Sequence, residues 1–283
     1  MQVIQTIKQL KEYVNELKKT NKTIGLVPTM GYLHDGHLTL ARTAKGENDV
    51  VIMSIFVNPT QFGPNEDFAS YPRDLNRDCV LAESAGVDVV FAPSEEDMYP
   101  TTSGIKLSVG QQASILCGAS RPGHFDGVVQ VVTKLFHLAQ ANRAYFGQKD
   151  AQQVAIIETL VRDFNFPLEI KVVPIVREED GLAKSSRNVY LTVSERAEAP
   201  AIFAALNAAK SMFMQSKNVQ LSVEAAKKYV VEHTSGTIDY LEFLSYPDLT
   251  EVNEQTTRYI IAAAVYIGKT RLIDNIIFSV KGE

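Results

Sequence analysis

The ten residues from Pro28 to His37 read PTMGYLHDGH and hold two of the chain's five histidines, on either side of Asp35 and Gly36. They follow the apolar stretch TIGLV (Thr23–Val27) and precede a helical pattern. That order puts both imidazoles near a helix N-terminus, where unpaired N–H groups and the helix dipole favour an anion. Imidazole N–H groups can donate to phosphate oxygens there. Pro28 ends the strand, Gly31 permits an unusual backbone angle, and Asp35 is placed to cap the helix. Gly36 would let a nucleobase or phosphate approach the backbone closely. The same two histidines could share a helix face as metal ligands. A third ligand would then have to come from His124, Asp78 or a cysteine at no recognisable spacing, which argues against a dedicated metal site. They could equally be ordinary cap and surface residues, and the decapeptide alone does not separate that reading from phosphate binding.

The elements around this turn follow from hydrophobic periodicity. Ile4, Ile7, Leu10, Val14 and Leu17 recur at helical spacing, so the N-terminal stretch reads as an amphipathic helix rather than a signal peptide. TIGLV, DVVIMSIFV (Asp49–Val57), VDVVFA (Val87–Ala92), AYFG (Ala144–Gly147) and LEIKVVPIV (Leu168–Val176) read as buried strands. Helical patterns over residues 36–45, 74–85, 127–141 and 150–163 lie between them. Continuous Val/Ile runs separated by helices indicate parallel strands covered on both faces. The expected fold is α/β, a Rossmann-like doubly wound parallel sheet whose ligand sits at the carboxyl ends of the strands. After Arg177 the pattern changes. REEDGLAKSSRN reads as a loop, and helical stretches at 194–215 and 222–233 precede three strand-like segments, IDYLEFLSY, RYIIAAAVYIG and RLIDNIIFSV. Helices followed by strands suggest a smaller α+β domain. The expected division is 1–176 for the doubly wound domain and 177–283 for the smaller C-terminal α+β domain.

Composition narrows the function classes. The chain has 283 residues, 45% apolar and 22% charged, with a formal net charge of −5. It can bury a core without disulfide or metal staples. The mild acidity argues against a general nucleic-acid binder. Cys79 and Cys117 form no CxxC pair and read as reduced thiols. No apolar run approaches the ~18 residues of a membrane span, so the expected place is the cytoplasm. Two familiar phosphate motifs are absent. No GxGxxG follows the first strand, and GKT at Gly268–Thr270 lacks the first P-loop glycine, which would fall at Ala263. That fragment reads as a turn between strands.

Other stretches decide the meaning of HDGH. It resembles the HxGH signature of the nucleotidyltransferase superfamily, and LAKSSRN (Leu182–Asn188) resembles that superfamily's KMSKS-type loop. PTMGYLHDGH, FVNPTQFGPNED, YPRD, RPGHFDGV, YFGQKDAQQ and GLAKSSRNVYL together resemble the pantothenate synthetase (pantoate–β-alanine ligase) family. The match runs from the first strand through the interdomain loop, and the C-terminal TRLIDNI fits the same family.

The resemblance implies an ATP-dependent condensation of pantoate with β-alanine through a pantoyl adenylate, releasing pyrophosphate and AMP. Met30, Gly31, Tyr32, Leu33, His34, Asp35, Gly36 and His37 would form the first ATP loop, with His34 and His37 on phosphate oxygens and His37 the proton donor. Gly147, Gln148, Lys149 and Asp150 would contact ATP, Lys149 through phosphate and Asp150 through the ribose hydroxyls. Val176 would meet the adenine through its backbone. Asp150 could also be simply a helix cap. Lys184, Ser185, Ser186 and Arg187 would grip the β- and γ-phosphates with two cations and two hydroxyls. His34, His37, Lys149 and Arg187 are the expected catalytic residues.

Gln61 and Gln153 would bind pantoate, and Gln61 would also meet β-alanine. Met30 and Phe62 could pack on the pantoate methyls, with Asn58 and Tyr71 weaker candidates for the same pocket. Arg121 reads as either a further substrate contact or an ion-pair residue. Magnesium is expected with ATP, held mainly by phosphates and water, with Asp78 the protein ligand the resemblance suggests. Many members carry Met where this chain has Lys184, and Glu where it has Gln148. The resemblance also implies a homodimer, built through the N-terminal domain. The Lys184–Arg187 loop falls at the domain junction, so the C-terminal domain is expected to act as a lid that closes over the site.

Three competing readings remain open from the residues. One is a nucleotidyltransferase that stops at transfer to a phosphorylated acceptor; paired glutamines without a further basic cluster favour the ligase. Another is a non-catalytic nucleotide-binding protein. The last is a tRNA synthetase fragment, which the acidic balance and the lack of an anticodon-binding extension disfavour.

Overall fold

The computed structural model describes residues 1–64, 66 and 68–280. The chain divides into two compact units, Met1–Gly147 with Ile156–Val173, and Gln148–Ala155 with the chain from Pro174 onward.

The first unit is built on a six-stranded parallel sheet. Its strands are β1 (Gln2–Ile4), β2 (Ile24–Thr29), β3 (Val50–Ile55), β4 (Val89–Phe91), β5 (Arg143–Gly147) and β6 (Glu169–Val173), in the order β1-β4-β3-β2-β5-β6. The expected buried strand in DVVIMSIFV is β3, which lies between β4 and β2 with five of its six residues buried. Such a strand has both faces covered, which is why its sequence is continuously apolar.

Among the described residues, seven helices of four or more residues accompany these strands: α1 (Ile7–Lys19), α2 (Asp35–Glu47), α3 (Leu75–Ser84), α4 (Glu95–Met98), α5 (Cys117–Ser120), α6 (His124–Ala139) and α7 (Ala151–Asp163). α7 begins in the second unit and continues into the first. Leu38, Ala41 and Ala44 of α2 and Ala82 of α3 bury the sheet face that carries Val27, Val51, Met53 and Val90.

Two expectations change here. Ile4 belongs to β1, not to the first helix, and its pairing with Phe91 explains its burial. Only three residues long, that strand gives the sequence no periodicity to read. The helix after β2 is capped by His34, with Asp35 in its first turn.

The strand order reverses at β2. The chain runs outward from β2 through β3 to β4 on one side, and β5 returns to the other side. Ligands of doubly wound sheets bind outside the carboxyl ends of the strands at such a switch point. The carboxyl ends of β2 and β5 carry PTMGYLHDGH and FGQKD respectively.

The second unit contains α8 (Val193–Glu198), α9 (Ala201–Ser216) and α10 (Val219–His233), then the antiparallel strands β7 (Thr237–Ser245), β8 (Arg258–Ile267) and β9 (Thr270–Ser279) in the order β7-β8-β9. The single helix expected over 194–215 is two, broken at Ala199 and Pro200, where the proline lacks the donor a continuing helix needs. Its core joins Leu206 and Phe213 of α9 to Ile261 and Val265 of β8 and Phe278 of β9. Gly268 and Lys269 form the tight turn between β8 and β9, so GKT is a hairpin and no P-loop.

Candidate active site

The HDGH turn is held by its own backbone and by a buried carboxylate. Gly31 has φ +89°, and a Cβ there would meet Ile55 Cγ2 at 2.9 Å and Asp78 Oδ2 at 3.0 Å, so both conformation and space demand glycine. Tyr32 N–H donates to Asp78 Oδ2 and Leu33 N–H to Asp78 Oδ1, each at 2.7 Å. Asp78 is 1% exposed. Its neighbour Arg77 donates to the Leu33 carbonyl at 3.1 Å and lies 5.0 Å from the centre of the Tyr32 ring. The first turns of α3 therefore hold residues 32 and 33.

This geometry gives Asp78 a part in holding the turn. Both carboxylate oxygens accept main-chain N–H groups, which accounts for a buried charge without a metal. Among the described residues, no group of three or more His, Cys, Asp or Glu is gathered as a metal site requires. The residues offer no all-protein cage, so a magnesium ion here would be held mainly by ATP phosphates and water.

His34 and His37 interlock at the start of α2. His34 Nδ1 accepts from Gly36 N–H at 3.1 Å, and His37 Nδ1 accepts from His34 N–H at 3.4 Å. An Nδ1 that accepts must be unprotonated, so each neutral ring carries its proton on Nε2. The rings lie 4.1 Å apart, centre to centre. The turn thereby converts two backbone N–H groups into two imidazole Nε2–H donors.

Gln61 sits in the short turn Pro59–Gln61 after β3 and is 8% exposed. Asn58 Nδ2 donates to its Oε1 at 3.1 Å, which fixes the amide so that Nε2 is the outgoing donor. That Nε2 points at Met30 Sδ, 3.2 Å away. A thioether is a weak acceptor, so this N–H gains by exchanging sulfur for a carboxylate or hydroxyl oxygen. Asn58 is itself held by the Tyr99 hydroxyl at 2.8 Å and donates to the Gly127 carbonyl at 3.1 Å. Burial pushes the Tyr99 phenol above its ordinary pKa, keeping it a neutral donor. A Cβ on Gly127 would stand 2.2 Å from the Thr60 carbonyl, so α6 approaches this turn as only glycine allows.

His124 adds the other support, with its Nδ1 2.9 Å from the Gln61 carbonyl and its Nε2 3.1 Å from Arg121 Nη1. Since Arg only donates, the His124 Nε2 accepts and Nδ1–H donates. Arg121 is also bidentate to Glu66, at 2.7 and 2.6 Å, which makes it an ion-pair residue of this frame. Phe62 lies against Phe68 and Tyr71 in the same segment.

The remaining expected residues lie in the second unit, apart from Gly147, which ends β5. Gln148, Lys149 and Asp150 form a 3-10 turn leading into α7, and Gln153 is half-buried two residues inside that helix. Val176 and Lys184 face each other across a tight hairpin. Lys184 N–H donates to the Val176 carbonyl, Glu178 N–H to the Leu182 carbonyl, and Arg177 bridges Ala183. Lys184 Nζ is 3.5 Å from Glu178. The Ser185 hydroxyl caps the turn Ser186–Tyr190 by accepting from Arg187 N–H at 3.3 Å, and Arg187 is exposed.

Residues 2–277 match the family model of pantoate-beta-alanine ligase. The chain belongs to the pantoate-beta-alanine ligase family. A pantothenate synthetase of Lysinibacillus sphaericus (strain C3-41) is 67% identical over 99% of each chain, and one of Bacillus subtilis (strain 168) is 54% identical over 99% of this chain and 98% of its own. The crystal structure of a pantothenate synthetase from Thermus thermophilus has a TM-score of 0.91 at 42% identity, covering 98% of this chain and 99% of that one. A pantoate-beta-alanine ligase from Francisella tularensis, complexed with beta-gamma ATP and beta-alanine, has a TM-score of 0.78 at 40% identity, covering 98% and 97%. The fold is thus the HxGH nucleotidyltransferase type that the family shares. As a family member the chain is a carbon–nitrogen ligase that condenses pantoate with β-alanine, with ATP as a substrate.

The supporting roles of Tyr99, His124 and Glu66 escaped the sequence. Glu66 and His124 lie inside FVNPTQFGPNED and RPGHFDGV, with no spacing that pairs either of them with Arg121, and Tyr99 lies outside every motif. Among the described residues, no helix is long and apolar enough to cross a membrane.

Proposed function

We propose that the reaction proceeds through a pantoyl adenylate. A pantoate carboxylate oxygen attacks the α-phosphorus of ATP, the bond to the β-phosphate bridge breaks, and pyrophosphate leaves. The β-alanine amine then attacks the acyl carbon of the mixed anhydride. The bond to AMP breaks, the amine loses a proton, and pantothenate and AMP result. The first step brings negative charge toward negative charge, so the protein must present donors and cations where charge develops.

In this reading the Nε2–H groups of His34 and His37 donate to phosphate oxygens, with His37 supplying the proton. Their tautomers, set by the two Nδ1 contacts, support the reading most directly. Residues 30–37, 147–150 and Val176 contact ATP. Lys149, Lys184 and Arg187 supply cations, and Ser185 and Ser186 supply hydroxyls, for the departing pyrophosphate. Gln61 and Gln153 hold pantoate, and the amide of Gln61 aimed at a weak sulfur acceptor supports its part.

Asp78 we assign to positioning residues 32 and 33. Magnesium then enters as the metal complex of ATP, a substrate rather than a resident ion. We keep 1–176 as the nucleotide- and pantoate-binding domain and 177–283 as the smaller α+β domain, and assign the enzyme to the cytoplasm as a homodimer. Light scattering should return twice the 31.3 kDa of one chain.

The test is a product assay with magnesium and ATP, given pantoate alone and then pantoate with β-alanine. Pyrophosphate, AMP and pantothenate in equal amounts, with both substrates present, are the expected result. ADP and inorganic phosphate would replace the adenylate with an acyl phosphate and overturn the proposal.

A further inference from the structure

One strand of the C-terminal sheet touches both nucleotide loops of the second unit. On β9, Asn275 Nδ2 donates to the carbonyls of Gln148 at 2.9 Å and Lys149 at 3.0 Å. Its Oδ1 accepts from Gln148 Nε2 at 3.2 Å. The preceding residue, Asp274, is bidentate to Arg177 at 2.6 and 2.9 Å. Arg177 Nη1 also donates to the Gly181 carbonyl at 3.0 Å, and its guanidinium lies 3.5 Å from the centre of the Phe203 ring. Arg177 sits on the arm of the hairpin opposite Lys184.

These contacts are unusual for a strand. Successive strand residues point to opposite faces, and here both are polar and buried, Asp274 at 5% and Asn275 at 2% exposure. Burial pushes the Asp274 carboxyl up, and the bidentate guanidinium opposes it. A buried ion pair adds little net stability over apolar side chains of the same volume. Two apolar residues would continue the pattern of RLIDNIIFSV at no such risk. The chemistry chosen instead matches what each loop presents. Carbonyl oxygens at residues 148 and 149 would repel a phosphate, and the Asn275 amide engages both. The hairpin carrying Lys184 presents Arg177, and Asp274 holds it.

We propose that Asp274 and Asn275, with Arg177, are positioning residues for ATP. They fix the turn of Lys149 and the hairpin of Lys184 to one rigid strand, so that two cations from separate loops are set by adjacent residues. In this role all three act through Lys149 and Lys184 and are not themselves ligands of ATP. The proposal rests on the reading that Lys149 and Lys184 bind ATP phosphates.

The experiment compares five variants of the full-length enzyme: N275A, D274N, R177K, K149A and K184A. Binding of a non-hydrolysable ATP analogue is measured by calorimetry, and KM for ATP and for pantoate by steady-state kinetics, with thermal melting as a check on folding. N275A and R177K are expected to lower kcat/KM for ATP by about 10-fold to 100-fold, the loss that slight misplacement of reacting groups brings. KM for pantoate should stay within about twofold, since partial unfolding would raise both. D274N removes the charge with least change of shape, and if it fails to fold, N275A and R177K still decide. The double variant N275A/K149A should lose less than the two single losses together, because Asn275 acts through the Lys149 turn. If K149A and K184A weaken ATP binding while N275A and R177K bind it like the wild type, the positioning role is wrong. If K149A and K184A also bind ATP normally, the ATP-loop reading falls and the positioning role falls with it.

Discussion

The turns after β2 and β5 are both held through their main chains, but with opposite polarity. After β2, the carboxylate of Asp78 accepts the N–H groups of Tyr32 and Leu33. After β5, the amide of Asn275 donates to the carbonyls of Gln148 and Lys149. In the first turn the backbone donors are engaged, and imidazole Nε2–H groups take over the donating. In the second the backbone acceptors are engaged, and a lysine supplies positive charge. Under the proposed ATP-binding roles, each loop would meet an anion differently, one by substituting its donors and the other by neutralising its acceptors.

The largest expected effect strikes the first loop alone. His37→Ala should lower kcat by about 10²- to 10⁴-fold, the range of general acid–base contributions, with the melting temperature close to wild type. An unchanged kcat would remove His37 from the chemistry and leave the loop a structural cap.

A second pair of variants tests the polarity directly. Asp78→Ala leaves the buried Leu33 N–H and the partly buried Tyr32 N–H without their carboxylate partner and should cost about 2–4 kcal/mol of stability. Asn275→Ala strands carbonyls, which tolerate under-satisfaction better than N–H groups, and should cost only about 1–2 kcal/mol. Denaturant titration gives both values. Equal losses would show that the sign of the main-chain contact does not matter.

A smaller effect belongs to the frame around Gln61. The Arg121 guanidinium bonded to Glu66 holds that carboxyl below its ordinary value of 4.5. Its folded-state pKa is depressed, so its stabilisation is present above pH 4.5 and lost as the pH falls through the folded value. Glu66→Gln should therefore be less stable than wild type at neutral pH by less than about 1 kcal/mol, the usual size for a partly exposed pair. The difference should vanish in acid, and a difference that grows there would reverse the sign.

Much of this was legible in the sequence. Continuous apolar strands, alternating helices and the places of HDGH and LAKSSRN led to the fold and the loops. What escaped were contacts distant along the chain. Asp78 meets Leu33 across 45 residues, and Asn275 meets Gln148 across 127. No local periodicity encodes such partners. The one sign was the polar pair in RLIDNIIFSV, an interruption that an apolar strand does not need. The cap of α2 escaped for another reason: histidine is no common N-cap, and Asp35 beside it is a usual one.

The most direct measurement is pantoate-dependent exchange of labelled pyrophosphate into ATP without β-alanine, run on the wild type and on Asp78→Asn across a range of magnesium. Asp78→Asn keeps one acceptor and turns the other oxygen into a donor facing an N–H. Exchange in the wild type is expected, with a loss of about 100-fold in the variant, unrelieved by excess magnesium. Exchange restored by magnesium would make Asp78 a metal ligand and contradict its role in holding the HDGH turn.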